Sequence, residues 1–599
     1  MPPYQYHALE SDAHIRLVRI APDSGDGPLS GSLIHASLDS RPTYETLSYT
    51  WGFPILCRKI VIDGLELAIT ANLDSALKRM RSRSPDSPTL IWADGVCINQ
   101  KDIEERNQQV HLMRRIYSEC QTGLIYLGEE ADGSDELPDF LNTLIEAYTE
   151  MIKKTKGQLK SFALENDFSL PDSGDTRWKM LRAVLERPWF RRIWIIQEYS
   201  LPQKILMICG KWEISGTILA LIITLPVWQW SRKALDGLTG GAHPESGHTK
   251  AIALQQLHLQ IRLYLNRPLS HGFDDDRALD TQRTGSHLSL LYLLRNGQMC
   301  KTTDPRDHFF ALIGLANNVD DSSLAADYSK SLEDVQTDFG RHLVKRGYGM
   351  SLLYQVENPS SRISTLPSWL PSWTDPTDDS TPANSIWPVD LEKQPNANIN
   401  LRQDRRSIDV SGSLLDVVEV LGMYKGDEHW PNGWIQEIEA LVAGVKCYPS
   451  GQDVEQAVWR TIIADRSLEK EQPAPEDYYR LYRLRRMAID HVLPSNWENL
   501  PPYELLDSMS DIFRFDSAVG KLRTFRFCIT KGGLFGMVPH DTLVGDSIFV
   551  VKGDPIKSTF VVRKDAVQDH YTWVGHAYVH HIWNVLNFEE LRWEEIVIN

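Results

Sequence analysis

Between residues 44 and 130, apolar runs of strand length alternate with segments of helical periodicity, and that alternation leaves few folds open to the chain. "YETLSYTWG" (44–52) is a strand ending in a Trp-Gly turn, and "KIVIDGLELAI" (59–69) is a hairpin with Asp63-Gly64 in the two-residue turn position. Thr70 is placed to cap "ANLDSALKRMR", where Leu73, Leu77 and Met80 share a face, and Pro85 and Pro88 close that helix off. "TLIWADG" (89–95) is an apolar run that stops at Asp94, as suits a strand buried on both faces of a parallel sheet. Asp102 and Glu105 have capping-box spacing ahead of a helix with the stripe Ile103, Val110, Met113, Tyr117 and Cys120. "GLIYLGEE" (123–130) is another buried strand. This order predicts an α/β fold built on a parallel, doubly wound sheet.

Two further strands, "HIRLVRI" (14–20) and "SLIHASL", precede this block. Residues 131–175 are acidic and serine-rich at both ends and read as an insertion carrying one helix, "LPDFLNTLIEAYTEMIKK". "TRWKMLRAVLERPWFRRIWIIQE" returns to helix, with Pro188 at a first-turn position or a mild break. "KILMICGKWEIS" (204–215) gives two strands around a Gly-Lys turn and ends a first domain spanning 1–215. Residues 216–350 read as mainly helical, and 351–404 as a Pro/Ser/Thr-rich connecting segment whose tryptophans imply docking onto another surface. An α+β region, 405–599, closes the chain with short alternating strands over 520–599, read as a small sheet or barrel.

The net charge of −17 argues against a nucleic-acid partner, which requires a basic face. The basic runs "KRMRSR" and "YYRLYRLRRM" read as solvated helix faces. Seven cysteines are scattered without any C-x-x-C pair, which argues against a disulfide framework and a zinc knuckle. The first residues lack the layout of a signal peptide, and the apolar run 218–228 is too short to span a bilayer. A soluble, cytoplasmic protein is expected. His576, His580 and His581 sit in a strand-like segment without an evident fourth ligand, so no metal is expected.

Ligands of a doubly wound sheet bind beyond the carboxyl ends of its strands. Those ends deliver Tyr49, Thr50 and Trp51 after the first strand, Asp94, Cys97, Asn99 and Gln100 after the second, and Gly128, Glu129 and Glu130 after the third. The segment "RPWFRRIWIIQE" (187–198) follows, with Trp194 and a terminal acid, Glu198. Stacking aromatics, amides and carboxylates suit a nucleotide-like ligand, and an anion beside an N-glycosidic bond would stabilise an oxocarbenium-like transition state. The other reading is structural: Glu198, flanked by Arg187, Arg191 and Arg192, is paired and buried, with Trp189 and Trp194 in the core.

"LSYTWG", "WADGVCINQKDIEERNQQVHLMRRIYSEC", "GLIYLGEE" and "RPWFRRIWIIQE", in that order over residues 44–200, resemble the fungal heterokaryon incompatibility (HET) domain. "TTDPRDHFFALIGLA", "ADYSKSLEDV" and the terminal "GMVP…GDSIFVVKG…VGHAYVHHIW" fit the rest of such proteins. The resemblance implies nonself recognition with a cell-death response, and an unidentified incompatibility partner. It also implies distant kinship with TIR domains, which are flavodoxin-like, some of them hydrolysing NAD with one glutamate on the helix after the third strand. Glu198 is the residue here that matches that glutamate, which makes NAD a candidate substrate and leaves no cofactor expected. The alternative is an adaptor that self-associates through its HET domain without chemistry.

Overall fold

Asp63 and Gly64 both take positive φ, 50° and 81°, so the hairpin closes through the mirror-image turn that two-residue loops favour. It joins β4 (Arg58–Ile62) to β5 (Leu65–Ile69) at one edge of a nine-stranded sheet, in the order β5-β4-β2-β1-β6-β3-β7-β8-β9. The other strands are β1 (His14–Ile20), β2 (Ser30–Ser37), β3 (Glu45–Tyr49), β6 (Leu90–Trp92), β7 (Thr122–Tyr126), β8 (Ile205–Cys209) and β9 (Trp212–Ser215). This is a computed structural model; it describes residues 1–22, 28–53, 55–83, 90–155, 171, 175–216, 218–219, 289–298, 300–316, 319, 324–356, 365–374, 398–424, 432–469, 471–489, 502–522 and 524–599.

The α/β class holds, but the sheet is mixed. Its centre, β6-β3-β7-β8, is parallel throughout, whereas β1 runs antiparallel to β2 and β6, and β9 antiparallel to β8. Numbered along the chain, the parallel strands lie in the flavodoxin-like order 2-1-3-4, with the switch point between β3 and β7.

Strand residues alternate between two packed faces. Leu47, Tyr49, Leu124, Tyr126 and Ile208 meet Leu73, Leu77 and Met80 of α1 (Ala71–Arg83). Ile125, Met207 and Cys209 face the other way, toward α4 (Leu137–Thr155), α5 (Thr176–Leu185) and α6 (Ile195–Ser200). Two more helices lie between β6 and β7: the single turn α2 (Asp94–Cys97) and α3 (Ile103–Glu119). Thr70 caps α1 through Leu73 N at 3.3 Å, and Asp102 caps α3 through Glu105 N at 3.1 Å. The Glu105 side chain does not complete the box. It instead grips buried Arg16 at 2.5 and 2.9 Å and accepts Asn99 N at 2.7 Å, fixing the turn after β6 to β1. Ile103, expected in the α3 stripe, is exposed.

Within residues 131–175, Phe140, Leu141 and Leu144 of α4 pack with Trp178 of α5. Residues 156–170 and 172–174 lie outside the described residues. The helix expected across 176–198 is in three pieces: α5, a 3-10 turn over Pro188–Arg191, and α6. The first compact unit runs to Leu332, past the expected end at 215, because α7 (Leu290–Gly297) and α8 (Asp307–Ile313) pack into it. Of the segment read as mainly helical, 220–288 lies outside the described residues.

The second unit, Glu333–Asn599, contains a closed antiparallel barrel. Its circuit is β11 (Ile408–Tyr424), β12 (Phe525–Thr530), β13 (Phe535–Pro539), β16 (Tyr571–Val579), β15 (Thr559–Lys564) and β14 (Ser547–Val551), which returns to β11. β10 (Ile399–Leu401) and β17 (Glu594–Ile598) extend β11. The 17-residue β11 belongs to the barrel although it lies a hundred residues before the strands at 520–599. Helices over 432–520 pack Trp434, Trp459, Tyr478 and Phe515 against Phe527 and Phe535 of the barrel. In the connecting segment Trp369 and Trp373 are fully buried; residues 357–364 and 375–397 of it lie outside the described residues.

Candidate functional site

At the carboxyl ends of β3 and β6, beside the switch point, lies a cavity of about 310 Å³ in the first unit. Trp51, Asp94, Gln100, Trp194 and Glu198 line it, with Arg192 beside them. Asp94 organises the strand side. Its carboxylate accepts Trp51 Nε1 at 2.9 Å and Gly95 N at 2.7 Å, and its carbonyl accepts Gln100 Nε2 at 2.9 Å. Tyr49, buried beneath, also bonds to Asp94, and burial drives its hydroxyl pKa far up. The Trp51 ring is thereby held in one orientation at the cavity wall.

Of the residues expected in the crevice, Tyr49, Thr50, Cys97, Asn99, Gly128, Glu129 and Glu130 do not line the cavity. The Thr50 carbonyl accepts Asn72 Nδ2 at 3.0 Å. Asn99 caps Lys101 N through its side chain at 3.3 Å. Cys97, the last residue of α2, is fully buried, and burial pushes its thiol up to about 12, an inert value. Glu129 and Glu130 turn away to Tyr126 and to Lys211 N.

Glu198 is 3% exposed, yet it forms part of the cavity wall. Ser48, on the opposite face of β3 from Leu47 and Tyr49, donates its hydroxyl to Glu198 and accepts Trp189 Nε1 at 2.7 Å. Of the three arginines in the segment, only Arg192 pairs with it, loosely, at 3.8 Å; Arg192 also donates to the Tyr49 carbonyl. Arg187 is occupied elsewhere, with the Leu127 carbonyl at 3.0 Å and Cys209 Sγ at 2.9 Å. Burial is the largest influence on Glu198 and raises its pKa, against the opposing effects of Arg192 and Ser48. Glu198 is therefore neither sealed among guanidinium groups nor freely solvated.

The far wall comes from a stretch that no sequence spacing ties to Glu198. Lys301 lies beside Arg192 in a parallel bridge, with Lys301 N donating to Arg191 O at 2.5 Å. That pairing brings Thr302, Thr303, Asp304 and Asp307 onto the cavity, and Tyr328 follows. The Tyr328 hydroxyl donates to Asp307 at 2.5 Å, the Arg106 guanidinium stacks 3.7 Å from its ring centroid, and Asp304 grips Arg306 at 2.7 and 2.9 Å. Burial pushes Asp307 up to about 6, partly countered by its bonds from Tyr328 and Trp194. The signal was present as the segment "TTDPRDHFF", but nothing in its spacing showed that it folds back onto α6.

Residues 44–198 match the family model described as heterokaryon incompatibility protein (HET), and residues 504–587 match the Het-6 beta-barrel domain. The chain carries a HET domain. The match to the HET family ends on Glu198 itself, so the far wall of the cavity lies beyond the matched residues. Heterokaryon incompatibility protein 6, OR allele, of Neurospora crassa is similar to this HET-domain chain at 26% identity over 413 residues. The match covers 61% of the chain and 58% of that relative, so the chain spans less than two thirds of the relative's length. No solved structure matches. Among the described residues no helix is long and apolar enough to cross a membrane, and no group of His, Cys, Asp and Glu could hold a metal ion.

Proposed function

We propose that this HET-domain chain acts in fungal heterokaryon incompatibility, as part of nonself recognition leading to cell death, by cleaving an N-glycosidic bond of NAD or a related nucleotide. The observation that carries the chemistry is a carboxylate in the wall of a cavity at the strand tips, braced by Ser48 and only loosely paired. Trp51 and Trp194 present aromatic surface for a base, and the cavity volume is at the small end for ligand sites, sufficient for a base and its sugar. In the reaction the bond from C1′ of the ribose to the base breaks with its electron pair leaving on the base. Glu198 stabilises the cationic sugar and accepts the proton of the water that adds to C1′.

The test incubates the full chain with NAD and with adenosine and guanosine nucleotides, at high concentration or with a crowding agent. Base or nicotinamide release that falls 100-fold or more in Glu198→Gln, with circular dichroism unchanged, supports the reading. A second reading, a non-catalytic module that assembles through the HET domain, draws on the exposed Phe53, Ile55 and Leu56 (87%, 65% and 59%) just after Trp51. No release under any condition, together with concentration-dependent oligomers, favours that second reading.

A further inference from the structure

Four carboxyl groups line the cavity; Asp94 is held by Trp51 Nε1 and Gly95 N and Asp304 by the Arg306 guanidinium, and the other two, Glu198 and Asp307, lie in unlike surroundings. Glu198 stands beside the sheet with a cation and a hydroxyl; Asp307 lines the same cavity from α8, with the Tyr328 hydroxyl and the Trp194 side chain as partners. We infer that Asp307 is the general acid of this site and that the substrate is a purine nucleotide, whose base must be protonated to leave. The inference rests on the reading of Glu198 as the group that stabilises the sugar cation.

The chemistry separates two classes of nucleotide. Nicotinamide in NAD already carries a positive charge, so it departs neutral and needs no acid. A purine bound through N9 departs as an anion unless a proton reaches the ring, and N7 is the open edge for it. Nicotinamide release makes no use of a proton donor at the base, whereas purine release calls for one. Burial raises the proton affinity of both, but Glu198 alone has a guanidinium, that of Arg192, at 3.8 Å beside the Ser48 hydroxyl, which favours its ionised form and suits it to the partner role and Asp307 to that of the acid.

Asp307 meets the physical requirements. It lines the cavity, and its hydroxyl partner Tyr328 and ring partner Trp194 fix the carboxyl plane. Burial holds it protonated to about pH 6, with Asp304 raising its proton affinity and Arg106 lowering it. In the step proposed, the Asp307 proton goes to N7, the C1′–N9 pair stays with the base, and water adds to C1′ while losing a proton to Glu198. Glu198 then gives its proton to solvent and solvent returns one to Asp307, so the sum is nucleotide plus water giving ribose phosphate plus free purine. Arg106 and Lys301, in the same cavity wall, offer charge for the 5′-phosphate.

The experiment measures free base released by the full chain from adenosine and guanosine 5′-monophosphates, from N7-methylguanosine 5′-monophosphate and from NAD. The wild type is expected to release purine from at least one of the unmodified monophosphates. Asp307→Asn should lower that rate about 100-fold or more. Its deficit should shrink to within about tenfold on the N7-methyl substrate, whose base leaves without a proton. Glu198→Gln should lose activity on all of them. In Tyr328→Phe, Asp307 loses a bond that favours its ionised form, so the alkaline limb of the purine pH profile should move upward, a shift that mere misfolding does not produce.

Glu198-dependent cleavage of NAD or the N7-methyl substrate, without cleavage of either unmodified monophosphate, overturns the role of Asp307 and leaves the site's reading intact. Equal losses in Asp307→Asn on methylated and unmodified substrates also overturn it. No cleavage of any substrate overturns both.

Discussion

Ser48 is the joint on which the site depends, and Ser48→Ala is the sharpest probe of it. Its hydroxyl accepts Trp189 Nε1 at 2.7 Å and donates to Glu198, all three side chains being buried. Alanine removes both bonds without removing the groups that made them. A buried indole N–H without an acceptor costs about 1–3 kcal/mol, and a carboxylate that loses a donor about 1.5–3 kcal/mol. The cavity wets one side of Glu198 and returns part of the second cost, so the net expected loss is about 2–4 kcal/mol. Urea unfolding followed by far-UV circular dichroism measures it. In a Trp189→Phe background the same change strands only the carboxylate, so its cost should fall by about 1–2 kcal/mol. A Ser48→Ala change that is neutral, or additive with Trp189→Phe within about 0.5 kcal/mol, would refute the account of Ser48 as a shared partner.

Two further outcomes follow from the same geometry. Because burial raises the Glu198 pKa, the folded state favours the protonated form; stability from this group is present at low pH and lost as pH rises through the folded-state value. Glu198→Gln should therefore melt higher than the wild type at about pH 8, with the gap closing toward about pH 4; a gap that widens on acidification contradicts the stated balance. Glu105→Gln leaves Arg16, fully buried, without its charge partner and should cost about 3–5 kcal/mol in denaturant titrations; a loss below about 1 kcal/mol would show that the pair is dispensable.

The fold was legible wherever local signals and packing agree. The Asp63-Gly64 turn, the caps at Thr70 and Asp102 and the strands around 46, 91 and 124 are each specified within a few residues, and all formed. What escaped were pairings between distant residues. Nothing near residue 14 shows that β1 inserts beside β6 in antiparallel sense, which makes the sheet mixed. Of the site, the strand-tip residues Trp51 and Asp94 were legible from topology alone, while Cys97, expected there, is buried and Asn99 instead accepts Lys101 N. Asp307 and Tyr328 could not be read, since long-range pairings such as the bridge from Lys301 to Arg192 and the bond from Gln197 Nε2 to the Ala311 carbonyl at 2.8 Å bring that stretch to α6.

The break in the helix over 176–198 has a geometric reason. Trp189 and Glu198 are nine residues apart, and on a continuous α-helix nine residues make two and a half turns, about 180°, so the two side chains would point in opposite directions. Both nevertheless reach the same hydroxyl on β3. Only a chain that changes course between them can do this. Pro188 opens a 3-10 turn, Arg192 passes in extended conformation with its guanidinium against the Tyr49 carbonyl, and the helix restarts at Ile195. That extended step at Arg192 is also the stretch to which Lys301 pairs. One irregularity thus sets the carboxylate against the sheet and recruits the opposite wall. A continuous helix could not have brought both side chains to the Ser48 hydroxyl.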